Sequence, residues 1–167
     1  DNGSTAMEVA LKMAYQYHCH HGEAQRTTFV RLEHAYHGDT IGAMSIGGIG
    51  IYHDTFHPLL FETVAAPAPY CYRCSLGCTP DSCQLACLTA LERLVIDHGK
   101  TVAGVVLEPC LQGAGGMLVH PKGFLAGVRA LYDGDGVRLI LDEVATGFGR
   151  TGRMFACQHE EVCPDIL

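Results

Sequence analysis

Two adjacent carboxylates, Asp142 and Glu143, close the aliphatic run Leu139 to Leu141 and open onto a glycine-rich turn that reaches Gly152. A carboxylate at the carboxyl end of a buried strand can take a charge-assisted hydrogen bond from a protonated ring nitrogen, and open α/β sheets place their ligands at that end. A strand whose polar end simply meets solvent has the same pattern. Two other stretches carry complementary groups. Gly3, Ser4 and Thr5 stand before a helical pattern, where a helix N-terminus offers unpaired N–H groups to an anion and the hydroxyls add donors, although plain N-capping uses the same residues. Tyr36 and His37 follow the run Thr28 to Leu32, and an aromatic ring just past a strand can stack on a flat ligand or serve only in packing.

The elements that must position these groups are legible as periodicities. Met7, Ala10, Leu11, Ala14 and Tyr17 recur at helical spacing over Ala6 to Tyr17. Thr28 to Leu32, Thr63 to Ala66, Val102 to Leu107 and Val137 to Leu141 are apolar and β-branched enough for buried strands. Helical patterns cover Ser82 to Ile96 and Gly123 to Asp133, and Gly134 and Gly136 break the chain after the second. Strand, helix and strand between Val102 and Leu141 form a βαβ unit, so the expected fold is α/β, a mostly parallel sheet flanked by helices with right-handed crossovers. Met154 to Ala156 reads as a short strand, and His18 to His21 as a solvated polar turn at a frayed helix end. Ile41 to Gly50 suits a close backbone approach but matches neither a dinucleotide fingerprint nor a P-loop.

With 167 residues, 48% hydrophobic and 17% charged, the chain can bury a core without metals or disulfides. A net charge of −7 and eleven scattered Lys and Arg disfavour nucleic acid and acidic membranes as partners. No apolar run approaches the roughly 20 residues of a membrane span, and no signal peptide is evident, so a cytoplasmic location is expected. The opening at Asp1 without Met and the strand-like Pro164 to Leu167 suggest a portion of a longer protein. The Cys-rich stretch at 70–88 carries Cys71, Cys74, Cys78, Cys83 and Cys87, close to metal-knuckle spacing. Zinc or an iron–sulfur cluster at Cys71, Cys74, Cys78 and Cys83 is one reading; small core residues on a helix face is the other.

One flat ligand with a phosphate at one end and a protonatable ring nitrogen at the other would use Gly3 to Thr5, Tyr36 and Asp142 together. Pyridoxal 5'-phosphate has those parts, and an acid that keeps its ring protonated makes it a better electron sink. At this level the sequence resembles the class III, ornithine-type aminotransferases. Asp1 to Glu8, Tyr36 to Thr40, Leu107 to Pro109 with Gln112 to Gly116, and Asp142 to Gly152 match in order and spacing. Within that class, Ala145 where many relatives carry Gln, with Tyr36 to Ser45 and Phe155 to His159, points to a branch whose amino donor is adenosylmethionine.

The resemblance implies that residues 1–167 are the central, incomplete portion of the large domain of a fold-type I, pyridoxal-phosphate-dependent homodimer acting on small molecules. It implies phosphate contacts from Gly3, Ser4 and Thr5, ring faces covered by Tyr36 and Val144, and Asp142 on the ring nitrogen, with His37 beside the stacking position. Asp39 and Arg150 are expected to form a polar pair at the substrate entrance. The class also needs a Schiff-base lysine. Lys12, Lys100 and Lys122 stand at none of its positions, so that lysine is expected beyond Leu167 and the chain alone is expected to be inactive. Another class III aminotransferase or an aminomutase, and a metal-binding module built on the cysteines, are the alternatives.

Overall fold

Val102 to Leu107 carry no polar side chain, and the strand they form, β3, is buried along its whole length. The computed structural model describes residues 2–79, 81–133 and 136–167. Asp1, which opens the first motif, and Gly134, one of the two expected breaks, lie outside the described residues. In chain order the elements are α1 (Gly3–His20), β1 (Thr28–Leu32), α2 (Ile41–Ser45), α3 (Gly50–His53), β2 (Val64–Ala66), α4 (Ala86–His98), β3 (Val102–Leu107), β4 (Leu111–Gln112), β5 (Leu118–Val119), α5 (Phe124–Tyr132) and β6 (Arg138–Leu141). Four of the strands form one sheet in the order β2-β1-β3-β6, and every pairing in it is parallel. Beyond β6, Ile140 and Ile166 form a single parallel bridge.

The strand pleat sends alternate residues to opposite faces, and two hydrophobic clusters result. Val105, Leu107, Leu139 and Leu141 pack with Leu91 of α4 and Phe124 and Val128 of α5. Ala103, Val106 and Ile140 pack on the other face with Met7, Leu11 and Ala14 of α1 and Ala43 of α2. Each fully buried Leu or Val contributes about 1.5–3 kcal/mol, so helices on both faces are what makes an all-apolar strand such as β3 stable.

Three local expectations need correction. His18 is not part of a solvated turn: α1 runs on to His20, and the His18 ring is 0% exposed with Nε2 2.8 Å from the Ala103 carbonyl, tying α1 to β3. Met154 to Ala156 is not a strand. The N–H groups of Ala156 and Cys157 bind the Glu143 carboxylate at 2.7 and 2.8 Å and start a 3-10 turn, Ala156–Glu160, so they cannot join a ladder. The helix expected from Ser82 begins only at Ala86, after Leu85 in a left-handed conformation, so Cys83 precedes it and the buried face is Cys87, Leu91 and Val95. The short antiparallel pair β4 and β5 flanks the glycine-rich stretch that ends at Gly116, where the sequence shows no strand periodicity.

Candidate active site

In β6, Ile140 faces α1 and Leu141 faces α4 and α5, so the next residue, Asp142, falls on the α1 side. In β3, Val106 and Leu107 alternate the same way, which puts Glu108 on the α1 side as well. Leu107 pairs with Leu141, so the two acids leave neighbouring strands side by side. The chain after β1 brings Tyr36 to Thr40 to the same carboxyl edge, and the N-terminus of α1 completes a cleft of about 550 Å³. Its lining includes Gly3, Ser4, Tyr36, His37, Asp39, Glu108, Asp142, Val144 and Ala145.

Asp142 is 7% exposed and held from two directions. Its Oδ2 lies 2.7 Å from Nδ1 of His37, and its Oδ1 accepts the Val144 N–H at 3.0 Å. That geometry puts the His37 proton on Nδ1 and leaves Nε2, which is buried, without a partner. Glu143 is not among the residues lining the cleft and binds Thr146 as well as the 3-10 turn. Of the adjacent acids, one is presented to the cleft and the other locks the following loop.

At the other end of the cleft, Asn2 caps α1 through the Thr5 N–H at 3.0 Å, and the Thr5 hydroxyl donates back to the Asn2 carbonyl. Thr5 therefore serves the cap and is not among the cleft-lining residues. The first-turn N–H groups of Gly3 and Ser4 have no intrahelical acceptor by the geometry of a helix start. The Ser4 hydroxyl accepts the Asp39 N–H at 3.1 Å, joining the helix to the loop after β1. Gly38 makes this approach possible: its φ is +125°, and a Cβ there would stand 2.9 Å from the Ser4 Cα. Gly42 similarly receives the Glu8 carboxylate on its N–H at 2.6 Å, where a side chain would collide with it.

The Tyr36 ring lies in the cleft wall with the Tyr52 ring 5.4 Å away. Burial and the nearby Asp39 carboxylate push its phenol above the ordinary range. Val144 is 71% exposed, and its side chain abuts Gly3. Asp39 lines the cleft, but the expected Asp39–Arg150 pair is not formed: Arg150 sits in an exposed turn and makes no ion pair among the described residues. Among the described residues, Glu108 is an acid of the cleft not expected there; its signal in the sequence is the strand-to-acid junction that also marks Asp142. Cys71, Cys74, Cys78 and Cys83 are half-buried free thiols, and among the described residues no three His, Cys, Asp or Glu side chains converge as a metal site.

The whole chain, residues 1–167, matches the family model described as aminotransferase class-III. The protein belongs to that family. Among its relatives, the adenosylmethionine-8-amino-7-oxononanoate aminotransferase of Geobacter sulfurreducens is 56% identical over 168 residues, covering 100% of this chain and 37% of that protein. The enzyme of the same name from Methanocaldococcus jannaschii is 44% identical over 178 residues, 100% of this chain and 39% of that one. Its crystal structure superposes with a TM-score of 0.85 at 42% identity, covering 96% of this chain and 34% of that chain. A PLP-bound amine transaminase from an uncultivated Pseudomonas species gives 0.92 at 40% identity, covering 98% and 37%. The fold is thus that of the fold-type I transaminases, and the chain spans a little over a third of the length of these relatives.

Proposed function

We propose that this chain is the central part of the cofactor-binding large domain of an enzyme that transfers an amino group from S-adenosylmethionine to 8-amino-7-oxononanoate, giving 7,8-diaminononanoate in biotin synthesis. The observation that carries this reading is the meeting of the α1 N-terminus, Tyr36 and the Asp142 carboxylate in one cleft. Pyridoxal 5'-phosphate fits those residues, and when bound it supplies an electron sink for carbanion chemistry. The Gly3 and Ser4 N–H groups, with the Ser4 hydroxyl, would hold its phosphate. Tyr36 and Val144 would cover its ring faces, and Asp142, held by His37, would keep its ring nitrogen protonated. Asp39 and Arg150 are assigned to the substrate. Residues 70–88 are read as a Cys-rich insertion in the domain, and the complete protein as a cytoplasmic homodimer.

No lysine lines the cleft among its described residues, so the segment by itself has no primary amine to carry the amino transfer. The test is a donor and acceptor screen on the full-length protein. Transfer from adenosylmethionine to 8-amino-7-oxononanoate is the expected result, and activity only with simple amines or ω-amino acids would overturn it. That second outcome would select another class III aminotransferase. In the same assay, Asp39→Asn and Arg150→Ala are expected to lower turnover of adenosylmethionine with pyridoxal phosphate still bound; unchanged kinetics would remove both from the substrate site.

A further inference from the structure

Two buried acids stand side by side at the carboxyl edge of the sheet, and their surroundings differ. Asp142 accepts two hydrogen bonds, one from the His37 ring. Glu108, 5% exposed, takes the Gly113 N–H on Oε2 at 2.9 Å and feels the Tyr36 N–H as well, while among the described residues its buried Oε1 has no partner within hydrogen-bond distance. Among the described residues, no lysine or arginine lines the cleft. Its imidazole belongs to His37, which commits its Nδ1 proton to Asp142. Of two adjacent buried carboxylates with so little positive charge around them, the one with fewer short hydrogen bonds is the one favoured as the neutral acid.

We propose that Glu108 is held as the neutral acid beside Asp142, and that its Oε1–H donates a hydrogen bond to an oxygen acceptor of the ligand in the cleft. Burial pushes the Glu108 carboxyl upward and Asp142 adds to this, against the Gly113 N–H, His37 and the Tyr36 N–H. The wall beside it supports a ligand-directed donor. Ala114 and Ala145 supply no polar side-chain atom, and the Gln112 side chain is turned away to the Glu33 carbonyl at 2.8 Å. Among the described residues, the buried unpartnered side-chain atoms of the cleft lining are Glu108 Oε1 and His37 Nε2. A proton on Oε1 turns that atom from an unpaired acceptor into a donor available to the ligand.

The inference rests on pyridoxal phosphate being the ligand, and the test separates the two claims. In the full-length protein, Glu108→Gln keeps a neutral donor, whereas Glu108→Ala removes it. The expected result is pyridoxal phosphate affinity within about twofold of wild type for Glu108→Gln, with the bound chromophore titrating at the same pH, and affinity about tenfold weaker for Glu108→Ala. Infrared spectra at neutral pH are expected to show the carbonyl stretch of a protonated, buried carboxyl group that both variants lose. Absence of that band, equal loss in the two variants, or no loss in either overturns the proposal. Failure of the wild type to bind pyridoxal phosphate overturns the ligand assignment instead, and the infrared band then still decides the protonation of Glu108.

Discussion

Asp142 keeps its position through neighbours that are remote in sequence, since His37 lies 105 residues away. Replacing it with Asn keeps the shape but removes the charge that would hold a ring nitrogen protonated. Loss of one charge-assisted bond is worth about 2 kcal/mol, so Asp142→Asn is expected to bind pyridoxal phosphate about thirtyfold more weakly, read by titrating the apoprotein. His37→Phe should fill the same space while leaving Oδ2 of Asp142 unpaired. A smaller weakening of binding and a lower unfolding midpoint are expected together, because a buried carboxylate oxygen without its donor costs about 1–3 kcal/mol. The acid and the aromatic were readable as residues in the chain. The hydrogen bond that links the two was not, because nothing local sets the separation of groups on different strands.

Elements in this fold are capped and locked by carboxylates that come from elsewhere in the chain. Gly123, which precedes α5, offers no side chain to cap it, and the role falls to Glu160, whose two oxygens accept the Gly123 and Ala126 N–H groups at 2.8 Å each. Glu160→Ala should expose those donors and lower stability by about 1 kcal/mol in denaturant unfolding, with Glu160→Gln losing less. Glu143 does the equivalent for the 3-10 turn that follows the site loop. That contact explains why the apolar Met154 to Ala156 resembled a strand and is not one. Periodicity records which residues avoid water; it does not record which acceptor takes their N–H groups.

For the molecule as a whole, acid sensitivity is expected from His120, packed edge-on against Phe124 with neither ring nitrogen bonded among the described residues. Burial pulls its pKa down from 6.5 to about 4. The unfolded chain therefore takes up this proton first as pH falls, so the fold loses stability between about pH 6.5 and 4, by on the order of 3 kcal/mol, and loses nothing to this group above that window. Thermal unfolding followed across that range should show a steeper fall for wild type than for His120→Phe; parallel curves would remove His120 as the cause.

The sequence by itself determined the four strands of the sheet, the helices α1, α4 and α5 and the parallel α/β class, because strands buried on both faces, as β3 is, leave uninterrupted apolar runs and helices leave a 3.6-residue period. It also named Asp142, Tyr36 and the start of α1 as groups that could share one ligand. Tertiary structure decided which groups face each other. The pleat and the Leu107–Leu141 register set Glu108 beside Asp142, the α1 cap drew Thr5 out of the cleft, and the fold left Arg150 apart from Asp39. Those outcomes depend on strand register, side-chain direction and hydrogen-bond competition, which no stretch of chain carries alone.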